Sequence, residues 1–165
     1  MGVILITDQM MKENGKMEYE IVTLNDKFVQ GVEIRTENAN GKGAMDIGML
    51  WQDFLANGKQ ELIKNRIGQN CIGLYTDYEG DYTKPYSYLA GCEVSGENEN
   101  SVFPVKKIYA GKYARFVAKG DLQQAVQEIW NAVWSLPLDR SYQSDFEDYL
   151  QGDGGQEIHI YIGIK

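Results

Sequence analysis

The sequence has few residues suited to metal binding or covalent chemistry. It contains one histidine, His159, and two cysteines, Cys71 and Cys92, which stand apart in apolar, strand-like runs. A single histidine without a cysteine cluster excludes a multi-histidine or thiolate zinc site, so we predict no metal and no other cofactor. The two thiols are expected to be free, buried and unreactive.

Basic residues are also scarce. Lys and Arg number 16 against 24 Asp and Glu, and the formal net charge is −8. Nucleic-acid binding needs clustered positive charge that displaces counterions from phosphates, so we expect neither direct nucleic-acid binding nor attachment to an anionic membrane. An acidic surface raises the local concentration of cationic small molecules, although the same charge also serves solubility alone.

Long apolar runs and common catalytic motifs are missing. No stretch approaches the roughly 18 apolar residues of a membrane span, and the N-terminus lacks the pattern of a signal peptide, so a cytoplasmic location is predicted. No nucleophile elbow, P-loop or dinucleotide fingerprint occurs. The glycine-rich segment 152–155 leads into a strand-like run and indicates a hairpin turn.

Aromatic residues, by contrast, are plentiful: 11 Tyr, 5 Phe and 3 Trp. Tyrosine combines an apolar body with a polar tip, so it serves both strands and mixed binding surfaces. The length of 165 residues suits one domain, 1–165, with its own core. Residues 1–16 are expected to begin a strand or to form an N-terminal arm.

Two segments show the apolar spacing of amphipathic helices. The first starts at Ala44 and stops near Asn57-Gly58, a usual helix-ending pair. The second follows Asp121, a candidate N-cap, and ends at Pro137.

Around these helices, β-branched and aromatic residues predict strands. Segment 19–36 is expected to be extended in two pieces, with breaks at Asn25-Asp26 and Gly31. The other predicted extended segments are 71–78, 86–95, 105–118 and 157–164. A polar tail, 145–150, lies before the glycine-rich turn.

The two halves of the chain repeat one order of elements. FVQGVEIR (28–35) resembles IYAGKYARF (108–116), and LWQDFL (50–55) resembles IWNAVW (129–134). We therefore predict an α+β fold with duplicated βαββ units related by a pseudo-two-fold axis. Neither unit could bury its helix alone, so both should share one antiparallel sheet with the two main helices on one face.

The chain resembles a known family over nearly its whole length from Tyr19. The matching segments are 28–36, 44–56, 86–95, 109–120, 129–137, 141–150 and 157–165. The most specific piece is DFEDYL (145–150), a glycine-rich turn and EIHIYIGI (157–164). These segments are similar to the GyrI-like, or AraC-type, effector-binding domain family. Some of its members stand alone, and others form the ligand-sensing part of multidrug-responsive transcription activators.

The resemblance implies binding of small, lipophilic, cationic molecules in an apolar, aromatic cleft, as a drug or effector sensor or sink. The motif glutamate, Glu147, would lie at the floor of this cleft. The implied ligand-binding residues around it are Tyr149, Tyr161, Tyr88, Phe116, Trp51 and Trp130. The chain departs from the family at Gly163, where a proline is common, and no helix-turn-helix precedes the domain, so no DNA binding of its own is expected.

The physical chemistry of a buried carboxylate agrees with such a ligand. An isolated buried charge is costly, and a cation would neutralise it while aromatic faces add cation–π attraction. Composition alone suggests a different interpretation, with Glu147 on a solvated helical turn beside Asp145 and Asp148. In that case Trp51 and Trp130 would simply pack in the core.

Two other functions remain open from the residues. The first is hydrolysis of electrophilic genotoxic molecules, with Glu147 as general base and Tyr149 or Tyr161 as acid or orienting group. The second is a protein-interaction module that inhibits a partner such as DNA gyrase or acts with a separate regulator. Binding is favoured over turnover, but both need the same cleft and carboxylate.

Overall fold

Strands dominate the architecture. The computed structural model describes residues 2–5, 18–96, 103–152 and 155–165, and these ranges contain nine strands and two α-helices. The strands are β1 Gly2–Leu5, β2 Glu18–Leu24, β3 Lys27–Thr36, β4 Arg66–Thr76, β5 Tyr86–Val94, β6 Val105–Ile108, β7 Gly111–Ala118, β8 Arg140–Gly152 and β9 Gly155–Ile164. The predicted arm at 1–16 lies outside the described residues except for β1.

The two helices agree with the apolar periodicity. They are α1 Lys42–Ala56 and α2 Leu122–Ser135, and short 3-10 helices occupy Ala39–Gly41 and Lys59–Leu62. The Asp121 side chain accepts a 3.3 Å hydrogen bond from the Gln124 backbone N–H, which confirms the predicted N-cap of α2. After α1, Gly58 adopts a left-handed φ of +63°, which glycine tolerates without a Cβ penalty.

The strand order confirms the predicted duplication. The sheet runs β1-β2-β7-β9-β8-β4-β5-β3-β6, and every neighbouring pair is antiparallel. From the central pair outward, the order is β4-β5-β3 on one side and β8-β9-β7 on the other. The repeated units are therefore β3-α1-β4-β5 and β7-α2-β8-β9, joined at β4 and β8.

The strand before each unit joins the other half of the sheet. Strand β2 precedes the first unit and pairs with β7, whereas β6 precedes the second unit and pairs with β3. Each half of the sheet therefore receives an outer strand from the segment that precedes the other unit, and this exchange joins the two halves.

The central strands carry equivalent irregularities. The register of β4 shifts between Arg66 and Cys71, and that of β8 shifts between Arg140 and Asp145. Within the first bulge Gly68 has a φ of +73°, and at the equivalent place in the second Tyr142 has a φ of +54°. A left-handed conformation is ordinary for glycine and strained for tyrosine, so the second bulge carries a cost in backbone conformational energy.

Both faces of the sheet are buried. The helices cover one face and form two core clusters with it. In one cluster Phe54 of α1 packs with Tyr88 of the sheet, and in the other Val133 of α2 packs with Phe116 of the sheet. On the opposite face, one cluster joins residues of strands that are far apart in the sheet, so the sheet must curl toward this face. Its buried members are Val22, Val29, Ile72, Leu74, Leu89, Ile108, Tyr113 and Phe146.

Two local expectations were wrong. The tail 145–150 is the middle of β8, a central strand of 13 residues, and is not a solvated helical turn. The alternation of apolar and polar residues expected of a strand is hidden in the sequence, because the face of β8 under the helices carries the carboxylates of Asp145 and Glu147 instead of apolar side chains. Gly31 does not break β3 either, since it lies opposite Gly91 in a continuous β3–β5 pairing.

Both cysteines are free, as expected. They face each other in register across β4 and β5, with Cys92 buried and Cys71 half-buried. Neither α1 nor α2 combines the length and apolarity that a bilayer-crossing helix needs, and the same holds for every helix in the described ranges.

Candidate functional site

The candidate site lies where the two halves of the sheet meet. Glu147 on β8 lies directly opposite Gly73 on β4. The two central strands therefore present a carboxylate next to a position that has no side chain. A Cβ atom on Gly73 would come within 2.0 Å of the Tyr88 hydroxyl oxygen. The absence of a side chain at position 73 therefore makes room for Tyr88 beside the carboxylate.

Neutral donors surround the carboxylate of Glu147. The Trp130 indole N–H donates to Oε2 at 2.9 Å, the Tyr149 hydroxyl to Oε1 at 2.8 Å, and the Tyr75 hydroxyl to Oε2 at 3.4 Å. The residue is 4% exposed, and no ion pair in the described part of the chain includes it. Burial raises the pKa of Glu147 above its ordinary value, and the three hydrogen bonds oppose that shift.

A second tryptophan reaches the same site from α1. The Trp51 indole N–H donates to the Tyr88 hydroxyl at 2.7 Å, and Tyr88 interacts in turn with the Tyr149 hydroxyl. An indole N–H can only donate and a carboxylate can only accept, so Tyr88 accepts from Trp51 and Glu147 accepts from Tyr149. Each helix thus supplies one tryptophan N–H to the site, Trp130 to the carboxylate itself and Trp51 to the neighbouring Tyr88.

The tyrosines of the site remain protonated at neutral pH. Burial raises the pKa of Tyr75, Tyr88 and Tyr149 well above the ordinary tyrosine value, and the nearby charge of Glu147 adds to the shift. For Tyr86 the same two causes raise the pKa to about 12. These hydroxyls are therefore neutral hydrogen-bonding groups and carry no charge that a ligand would have to match.

Asp145 has a different environment, although it lies on the same face of β8. Its side chain is completely buried, and its Oδ2 accepts a 2.7 Å hydrogen bond from Arg140 Nη2. The Tyr78 hydroxyl and the Gly163 backbone N–H also donate to this carboxylate. Asp145 is therefore neutralised within the protein, whereas Glu147 is not.

An aromatic cavity adjoins Glu147. Its volume is about 120 Å³, and Arg140 and Ile47 are part of its lining. The aromatic lining residues are Tyr75, Tyr78, Tyr82, Tyr86, Trp130 and Trp134. Glu147 is separated from this space by Tyr75 and Trp130, both of which bond to its carboxylate. The expected cleft is therefore present, with the glutamate behind its aromatic wall instead of at an open floor.

The rings of Tyr82 and Trp134 stand together at the exposed side of this cavity. They stack with 6.0 Å between centroids and 19° between planes, and Trp134 is 41% exposed. Tyr82 belongs to the connection between β4 and β5, and Trp134 to the end of α2, so the two repeated units meet here as well.

The structure brings five of the seven predicted ligand-binding residues together. These are Glu147, Tyr149, Tyr88, Trp51 and Trp130, which form one connected network.

Tyr161 and Phe116 do not join this network. Tyr161 stacks on Phe146 on the opposite face of the sheet, with 4.3 Å between ring centroids. Its neighbour Ile160 is the residue that faces Glu147, because successive side chains of a strand alternate. Phe116 is fully buried under α2 and packs against Tyr19.

Sequence reasoning missed the cavity tyrosines and Arg140. Tyr86 could have been predicted from the sequence, because it lies two residues before Tyr88 in the strand segment YSYLAG and residues two apart on a strand share a face. Arg140 carried no comparable signal, because only the bulge in β8 brings it to the cavity.

The comparisons with known proteins point to one family. The model of the Cass2 family, described as integron-associated effector binding protein, matches residues 20–164. An integron cassette protein from the mobile metagenome of Vibrio cholerae is 31% identical, with 89% of this chain and 95% of that chain covered and a TM-score of 0.70. No curated protein matches the sequence significantly.

Two further solved structures show the same fold at lower identity. SAV2435, solved with tetraphenylphosphonium bound, is 21% identical, with 88% of this chain and 94% of that chain covered and a TM-score of 0.69. A Staphylococcus aureus protein provisionally assigned to transcription regulation is 23% identical, with coverages of 89% and 99% and a TM-score of 0.64. With the family match over most of its length, this chain belongs to the Cass2 family of integron-associated effector-binding proteins.

Proposed function

We propose that this protein binds small lipophilic cations in the aromatic cavity beside Glu147, as a sink or sensor for such compounds. The observation that carries the proposal is the environment of Glu147. Its carboxylate is buried and, among the residues that the structure describes, only neutral donors surround it, whereas the neighbouring carboxylate of Asp145 has Arg140 as its own cation.

A bound cation would relieve an unfavourable charge. Burial raises the pKa of Glu147, so the empty site holds its negative charge at an energetic cost. A cation near the carboxylate favours the ionised form and is itself attracted by the faces of Trp130 and Tyr75. Each such cation–π contact contributes about 0.5–2 kcal/mol, depending on how completely water is excluded.

The volume of the cavity also limits the size of a ligand that can bind without rearrangement of the cavity wall. A volume of about 120 Å³ is comparable to the engineered cavity of about 150 Å³ that takes benzene, so the closed form suits one aromatic ring. Larger cations require Tyr82 and Trp134 to separate at the exposed side. The tetraphenylphosphonium bound by SAV2435 is a ligand of that larger class.

The charge of the whole chain supports the same ligand class. A net charge of −8 raises the local concentration of cations at the surface and opposes binding to the phosphates of nucleic acids. We therefore assign the proposed activity to free small molecules and not to DNA.

Titration with tetraphenylphosphonium tests the proposal. All three tryptophans, Trp51, Trp130 and Trp134, lie in the site or its wall, so quenching of their fluorescence reports occupancy. The Glu147→Gln variant should bind about 10- to 100-fold more weakly, since charge-assisted contacts contribute about 1.5–3 kcal/mol. Glu79→Gln is the matched control, because it removes the same charge from a side chain that is 63% exposed.

Equal affinities in wild-type protein and the Glu147→Gln variant would remove Glu147 from the site. The uncharged triphenylphosphine oxide adds a second comparison, because its binding should be insensitive to the same substitution. Recovery of chemically unaltered ligand after long incubation distinguishes binding from hydrolysis, for which product would exceed the amount of protein.

A further inference from the structure

Arg140 offers hydrogen-bond donors that the protein does not use. The side chain lines the aromatic cavity and the residue is 7% exposed. Of its three nitrogens, Nη2 binds Asp145, while Nε and Nη1 are buried without a hydrogen-bond partner in the described part of the chain. A guanidinium has five N–H donors in a fixed plane, and buried donors are normally satisfied, so these two groups require an explanation.

The ion pair with Asp145 does not explain them. Asp145 already accepts from the Tyr78 hydroxyl and the Gly163 N–H, so its oxygens have no need of a second guanidinium nitrogen. One charge-assisted hydrogen bond secures the pair, and a lysine could supply it. The planar fork of arginine provides more donors than this contact uses.

The backbone around Arg140 also indicates a positioned group. The guanidinium carbon stacks on the Tyr142 ring at 4.4 Å from its centroid, and Tyr142 adopts the left-handed φ of +54°. The equivalent bulge in β4 uses Gly68 for this conformation. A tyrosine at such a position is strained, and non-glycine residues in this region cluster at functional sites.

We infer that Arg140 is a second recognition point in the cavity, donating hydrogen bonds to an oxygen acceptor of the ligand while the cationic, aromatic part lies toward Trp130 and Glu147. The ligand class becomes lipophilic cations that also carry a carbonyl or a similar oxygen. This inference rests on the proposed function. Because Nε and Nη1 are buried in the empty protein, reaching them requires the guanidinium to turn toward the cavity that the residue already lines.

Three related probes test the inference: benzyltrimethylammonium and its 4-acetyl and 4-isopropyl derivatives. The two derivatives have the same charge and nearly the same shape, but only the acetyl compound has an acceptor. Wild-type protein should bind the acetyl compound at least about ten-fold more tightly than the isopropyl compound, the lower end of the scale for a hydrogen bond to a charged donor. In Arg140→Lys this ratio should fall below about two-fold, because the lysine nitrogen is taken by Asp145.

A spectroscopic measurement on wild-type protein makes the test independent of the variant. The Arg140 Nε–H resonance in a ¹⁵N spectrum should shift when the acetyl compound is added and stay in place with the isopropyl compound. Equal binding of the two derivatives, or no selective shift, overturns the role of Arg140 and leaves the cation site intact. If benzyltrimethylammonium and tetraphenylphosphonium both fail to bind, the proposed function fails and this inference fails with it.

Discussion

The indole N–H of Trp130 donates a 2.9 Å hydrogen bond to Oε2 of Glu147, which ties α2 to the central strand of the sheet. The same indole forms part of the cavity wall. Trp130 thus touches both the carboxylate and the space next to it, so a ligand that engages Glu147 must share or replace this bond. Four predictions test the electrostatics and the packing around Glu147.

Binding of a permanent cation should depend on the protonation of Glu147. Because burial raises the pKa of Glu147, the carboxylate takes up a proton at a higher pH than an ordinary glutamate, whose pKa is about 4.3. Affinity for tetraphenylphosphonium, which has no titratable group, should fall as the pH is lowered through this raised value. Fluorescence titrations from about pH 8 down to about pH 3.5, below the ordinary glutamate value, measure the midpoint. A midpoint at the ordinary glutamate value would contradict the prediction, and Glu147→Gln should give a flat profile.

Trp130→Phe should move that midpoint to higher pH. The indole N–H stabilises the charged form of Glu147, so its loss raises the pKa of the carboxyl group further. The phenyl ring keeps an aromatic wall, which separates the hydrogen bond from the packing. Trp134→Phe is the control, since this residue lines the cavity without contacting Glu147 among the bonds described. An unchanged or lower midpoint in Trp130→Phe would show that the indole N–H does not stabilise the carboxylate.

The two buried carboxylates of β8 should respond oppositely to neutral replacement in the empty protein. Glu147 has a raised folded-state pKa, so its contribution to stability is full below the unfolded-state pKa and is lost as the pH rises through the folded-state value. Glu147→Gln should therefore gain unfolding free energy relative to wild type at neutral pH, with the gain vanishing toward acid.

Asp145→Asn should instead lose about 3–5 kcal/mol, because it leaves the buried guanidinium of Arg140 unpaired. Urea unfolding of both variants at several pH values measures these differences. A loss of stability in Glu147→Gln that is as large as that in Asp145→Asn would indicate that Glu147 is a structural residue.

Gly73→Ala should damage the site from within the sheet. The added Cβ would meet the Tyr88 hydroxyl at 2.0 Å, so Tyr88 must move and give up the Trp51 bond. We expect a loss of about 1–3 kcal/mol in stability and weaker ligand binding. Gly48→Ala is the matched control: nothing lies within 4 Å of its added Cβ, and in the middle of α1 the change should stabilise by about 0.5–1 kcal/mol. Normal ligand affinity in Gly73→Ala would show that Tyr88 is not needed in its present position.

Much of this architecture could be predicted from local patterns. The apolar spacing of α1 and α2, the Asp121 cap and the repeated order of elements are local signals, because they depend on residues close together in the chain. The duplication in turn predicted one shared sheet. The prediction failed at 145–150, where acidic residues at inward positions of β8 hide the apolar alternation of a buried strand.

The sequence by itself determined the two repeated units, their helices, the acidic character of the surface and, through its resemblance to a family, the importance of Glu147. Only the tertiary structure decided which residues join that glutamate. It placed Tyr161 on the far face, brought Tyr75 and Arg140 to the cavity, and within the described ranges gave a cation to Asp145 and none to Glu147. The physical reason is that pairing across strands and the bulge in β8 set side-chain contacts between residues distant in the chain, and no local periodicity records such contacts.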